Sequence, residues 1–221
     1  PRYDMIVSMD ESKYVFLEWD TIDWYEREYY QGNIVNTTDI IVSAPSLEEA
    51  IHFELDNSAS PVSSDGSPTI DRMKVYANGK LMDYKLMVTK PVDERVQETA
   101  LYNFQRFYGT LVSASLEETA KLTREEMAAL RAKDDSECLL KFAIFLSDNQ
   151  GNTRYLVYRF YQITERRAYM TLEVLDAPDL SLSNPANAQG LFSVSSSFCK
   201  KIVSDVHRFM NGEEIISDNK I

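Results

Sequence analysis

Cysteine, histidine and glycine are scarce in this chain of 221 residues, and each scarcity closes off a class of function. The two cysteines, Cys138 and Cys199, form no CxxC pair, and the two histidines, His52 and His207, are too few to complete a zinc-finger ligand set. Two cysteines allow one disulfide, yet so few do not mark an oxidising compartment. Seven glycines leave neither GxGxxG nor GxxxxGKS/T, so no phosphate-cradling loop is expected and no cofactor is implied. No run approaches the ~20 apolar residues of a membrane span, and no signal peptide is visible. Lys and Arg total 23 against 35 Asp and Glu, a net charge of −12 that repels nucleic acid and anionic lipid. The densest basic pairs, Arg166–Arg167 and Lys200–Lys201, sit beside acids and read as solvated surface charge.

What is present argues for a folded core. Apolar residues make up 44% of the chain, with 13 Tyr and 10 Phe, which is incompatible with disorder. "YDMIVSM" (3–9), "YVFLEW" (14–19) and "DIIVSA" (39–44) are β-branched and aromatic and read as strands. "SLEEAIHFEL" (46–55) reads as a helical turn leading into a strand. The Ser/Pro/Gly-rich stretch 56–68 is the most linker-like in the chain. Asn78–Gly79 is the best hairpin signal, because both residues tolerate the positive φ of a type I′ turn. Val92, Val96, Ala100, Phe104, Phe107 and Leu111 form one face of a helix over 92–113. A capping box at Thr123 and Glu126 opens a second helix that runs to about Lys133. Residues 138–175 read as an antiparallel meander in which strand 155–162 is central, joined to the next strand by the charged turn "ITERR" (163–167). There Glu165, Arg166 and Arg167 are expected only to keep an edge soluble. After a polar loop (176–190) and a short strand (191–196), a helix over 196–211 presents Phe198, Ile202, Val206 and Phe209.

The expected fold is α+β, with antiparallel sheets each covered on one face by a long helix, in two similar halves. The expected organisation is a strand-rich segment over 1–60, a hairpin-helix half over 69–133 and a meander-helix half over 138–216, with one continuous domain as the alternative.

Chemistry is sparse. A calcium loop counted from Asp148 would need Gly and Glu where Thr153 and Arg159 stand, so no metal ligands are assigned. Cys199 and His207 lie about 12 Å apart along one helix, too far for a nucleophile and its base. His52 within "IHFEL" reads as a half-buried strand histidine. The acid pairs Glu117–Glu118, Glu125–Glu126 and Asp134–Asp135 fall where acids cap helices, and no catalytic residues are assigned. The segment "EWDTIDWYEREYY" (18–30) interleaves Trp19, Trp24, Tyr25, Tyr29 and Tyr30 with acids. It reads as core packing or as an interaction surface for sugar rings or a cationic partner. For the thiols, the expectation is two buried, reduced cysteines.

The runs "YNFQRFYGTLVSASLEE" (102–118), "LVYRFYQITERRAYMTLEV" and "GLFSVSSSFCKKIVSDVHRFMNGEEI" (190–215) resemble a clostridial branch of a bacterial domain-of-unknown-function family. Here "LFSV" replaces the aromatic pair usual in that family, and loop 176–190 is longer. The resemblance implies an extracytoplasmic, membrane-anchored protein beside ABC-2-type, gliding-motility-like transporter components, and it brings no catalytic residues. The chain opens "PRYDMIV", without an initiator Met, so a removed N-terminal anchor is the expectation. The functional expectation is therefore a non-enzymatic binding or accessory module of a membrane-associated complex, with a protein or envelope polymer as partner. The alternative is a small extracellular carbohydrate hydrolase or sugar-binding domain using acids and the Trp19–Tyr30 segment.

Overall fold

The computed structural model describes residues 34–56, 72–83, 96–113, 115–147, 150–176, 179–190 and 192–216. The strands expected over 3–9 and 14–19, loop 57–68 and the aromatic segment 18–30 lie outside the described residues. Nine strands form one antiparallel sheet: β1 (Thr37–Ser43), β2 (Ile51–Asp56), β3 (Arg72–Ala77), β4 (Lys80–Leu81), β5 (Glu118–Thr119), β6 (Leu140–Ser147), β7 (Thr153–Gln162), β8 (Arg167–Leu175) and β9 (Phe192–Ser195). Their order is β4-β3-β2-β1-β6-β7-β8-β9-β5. The helices are α1 (Val96–Val112), α2 (Arg124–Arg131) and α3 (Ser196–Met210).

This corrects the expected α+β arrangement of separate helix-covered sheets. The molecule is mainly β, because β1 of the 1–60 segment pairs with β6 and β2 of that segment pairs with β3, so strands of all three expected parts lie in one continuous sheet. The long helices do not take one sheet each. Phe53 on β2 packs 5.0 Å from Phe104 and 5.3 Å from Phe107 on α1, and 5.3 Å from Phe209 on α3, so both helices share one face. A continuous sheet offers one broad apolar surface, and two helices side by side cover more of it than either alone.

Local expectations mostly hold. Asn78 and Gly79 have φ of 49° and 73° at the β3–β4 turn. Ala100, Phe104, Phe107 and Leu111 are buried. On α3 the stripe is rotated: Phe198 is half-buried, and Cys199 joins Ile202, Val206 and Phe209 inside. The Thr123–Glu126 capping box is formed on α2. As expected, β7 is central, between β6 and β8.

The "ITERR" turn does more than stay soluble. Thr164 Oγ1 accepts from the backbone N–H groups of Arg166 and Arg167. Arg167 pairs with Glu117 and Glu118, tying β5 to this edge of the sheet. Gly190 lies against β8, where a Cβ would overlap the Met170 carbonyl oxygen, so only glycine lets this loop close.

Cys138 and Cys199 are buried and unbridged. Burial pushes the Cys138 thiol up to about 11 and the Cys199 thiol up to about 12. Neither thiol should react appreciably with an aromatic disulfide reagent at pH 8 in the native protein, whereas two should titrate after denaturation without reductant. A fast native reaction, or fewer than two thiols on denaturation, would contradict this.

Candidate functional site

Alternation along each strand sends one set of side chains to the helices and the other to the opposite, outer face. That outer face divides into two parts of different character.

Over β6–β8 it is sealed. Arg159 is 0% exposed at the centre of β7. Its Nε donates to Asp135 Oδ1 (2.8 Å), one terminal nitrogen to Glu173 Oε2 (3.0 Å) and the other to Ser183 Oγ (2.6 Å). Ser183 Oγ in turn donates to Glu173 Oε2 (2.7 Å), and the Asn184 amide donates to Glu173 Oε1 (2.8 Å). Lys141 pairs with the other oxygen of Asp135. Two bases and two acids thus balance, and they strap loop 179–190 across the sheet. Beside them α2 lays Met127 and Leu130 over Tyr161 and Tyr169. The acid pairs seen in the sequence are spent structurally: Asp134 caps a turn at Ser136, Asp135 serves Arg159, Glu126 closes the capping box, and Glu117–Glu118 hold Arg167.

Over β1–β3 the outer face is partly open. Strand register sets His52 opposite Tyr76, and Asp39 opposite both Glu54 and Phe145. The His52 and Tyr76 rings stack with centroids 5.5 Å apart and planes 28° apart. His52 Nε2 lies 2.7 Å from Asp39 Oδ1. A carboxylate only accepts, so Nε2 is the donor in this pair. Thr38 Oγ1 donates to the second oxygen of Asp39 (2.8 Å). Tyr76 Oη donates to Glu54 Oε2 (3.0 Å), and Lys74 Nζ donates to Glu54 Oε1 (2.6 Å). The Lys74 hydrogen bond holds the Glu54 carboxyl below the usual range, and donation to Glu54 pushes the Tyr76 phenol up. Farther across the sheet Phe145 and Tyr155 stack at 4.3 Å.

These side chains border a hollow of about 470 Å³ lined by Ala50, His52, Glu54, Tyr76, Asn78 and Gly79. It offers an aromatic pair, a fixed carboxylate, an amide and an open turn. Of the residues singled out in the sequence, His52 belongs to it, and so do Asn78 and Gly79, marked there only as a hairpin turn. Trp19, Trp24, Tyr25, Tyr29 and Tyr30 lie outside the described residues, and His207 and Cys199 are on α3. Glu54 and Tyr76 went unmarked. Their signal was the outward phase of the alternation in "IHFEL" and "MKVYA", which names a face but not its neighbours.

Among the described residues no group of His, Cys, Asp and Glu is placed to hold a metal ion, and no helix is long and apolar enough to cross a membrane. No protein-family model matches the chain, and neither the curated proteins nor the solved structures contain a match.

Proposed function

We propose that the protein is a non-enzymatic binding module whose outer β1–β3 face takes a neutral sugar unit of an extracytoplasmic polymer. The observation that supports this is the His52–Tyr76 stack beside a fixed carboxylate and the Asn78 amide in one hollow. A sugar ring has an apolar C–H face that packs on an aromatic plane. Its hydroxyls donate to carboxylates and pair with amides. Asp39 and Glu54 disfavour acidic sugars by like-charge repulsion. The extracytoplasmic setting, and attachment to a transporter-linked membrane complex, rest on the resemblance of residues 102–215.

Hydrolysis is the weaker reading of this hollow. Asp39 and Glu54 face each other, but a glycosidase needs one carboxyl held as a proton donor, and here both oxygens of each are already engaged, Asp39 by Thr38 and His52 and Glu54 by Lys74 and Tyr76.

Titration with defined neutral and acidic oligosaccharides, followed by amide NMR, tests the proposal. Neutral chains should shift resonances of residues 50–54 and 74–79, and Tyr76→Ala should weaken binding by about tenfold or more. No shift with any sugar would overturn the proposal. Release of reducing ends by the wild-type protein would replace it with the hydrolase.

A further inference from the structure

In a chain with twelve more acids than bases, eight of the bases among the described residues pair with a carboxylate. They are Lys74, Arg106, Lys121, Lys133, Lys141, Arg159, Arg167 and Lys201. Three basic residues of α3 do not. Among the described residues Lys200 and His207 have no carboxylate partner, and Arg208 reaches only the Glu214 carbonyl oxygen, at 3.3 Å. The three stand at i, i+7 and i+8, on one side of the helix. They border a single cavity of about 570 Å³, between α3 and the chain leading into β6. Leu139, Cys199 and Val203 supply its apolar surface.

The helix dipole accounts for only part of this. His207 and Arg208 lie in the last turn, where positive charge is favoured. Lys200 lies near the other end and gains nothing from the dipole. The neighbouring Lys201 turns away to Asp205 Oδ1 (2.6 Å) and the Ile216 carbonyl (3.1 Å). Two adjacent lysines therefore have different roles, and Lys200 is the one left at the cavity.

We infer that this cavity binds an amphiphilic monoanion, a carboxylate on an aliphatic body. The body lies on Leu139, Cys199 and Val203, and the carboxylate meets the rim that Lys200, His207 and Arg208 form. The volume falls within the range of small-ligand pockets. Glu213 shares the lining and opposes a multiply charged head group. This site is separate from the β1–β3 face, and neither depends on the other.

Calorimetry and amide NMR with decanoate, below its micelle threshold, test the inference, with acetate and decanol as partial ligands. Decanoate should bind at least about tenfold more tightly than either, with shifts centred on residues 199–208 and weakening as salt rises. The Lys200→Glu/Arg208→Glu variant should lose affinity about tenfold or more with its melting temperature maintained. Should that variant unfold, Lys200→Gln, at an exposed position, should still weaken decanoate and leave decanol unchanged. Absence of decanoate binding, equal binding by the charge variants, or acetate binding as tight as decanoate would each overturn the inference.

Discussion

Arg159→Met should destabilise the protein by about 3–5 kcal/mol in urea unfolding, the cost of leaving a buried charge without its partner. Glu173 is 3% exposed, and its only cationic partner among the described residues is Arg159. Removing the guanidinium leaves that carboxylate in the sheet and takes from the Ser183 hydroxyl one of its two hydrogen bonds, so loop 179–190 should lose hydrogen-exchange protection. The double variant Arg159→Met/Glu173→Gln should recover part of the loss, because no charge is then stranded at the pair. A single-variant loss below about 1 kcal/mol would show that water reaches the pair.

The same network predicts acid sensitivity. Burial works to raise the Asp135 carboxyl, but hydrogen bonds from Lys141 and Arg159 outweigh it and hold it below the ordinary carboxylate range. A carboxyl depressed in the folded state contributes stability above its unfolded value, near 4. That contribution is lost as pH falls through the folded value. Asp135→Asn should therefore flatten the pH dependence of stability below about 4, and an unchanged slope would count against the network.

Phe53→Ala should cost about 3–5 kcal/mol, the usual range for removing a buried ring. Phe53 is 0% exposed and touches Phe104, Phe107 and Phe209, so it is the point where the sheet meets both covering helices. The cavity left behind would be walled by three rings on two elements, which cannot all close on it without shifting the helices. Phe145→Ala, on the half-buried outer face, should cost less, since part of that residue already meets solvent. Comparing the two variants by urea unfolding separates core packing from surface stacking. Equal losses would mean that the outer face is as tightly packed as the helix face.

Much of the local structure was legible in the sequence because it depends on near neighbours. The Asn78–Gly79 turn follows from the positive φ that these residues tolerate. The capping box at Thr123 needs only residues three apart. The stripe Ala100, Phe104, Phe107, Leu111 is the helical period itself. The apolar run 155–162 marked a strand, and its incomplete alternation placed it centrally.

What the sequence could not carry is which strand lies beside which. Nothing in "DIIVSA" or "CLLKFAIFLS" says that β1 and β6 pair, and that pairing turned two expected sheets into one and brought α1 and α3 onto a common face. The same limit hid the outer-face hollow. His52, Glu54 and Tyr76 are ordinary outward positions until register sets His52 against Tyr76 and Glu54 against Asp39. The buried role of Arg159 is invisible in the sequence, because Glu173 and Asp135 reach it only across two strand pairings and a folded loop. By itself the sequence determined turns, caps, helical faces and strand phase, since these are set by φ preference and by contacts within a few residues. The tertiary structure alone decided strand order, the buried charge network and both candidate binding sites, since these depend on side chains that closure of the sheet brings together from distant parts of the chain.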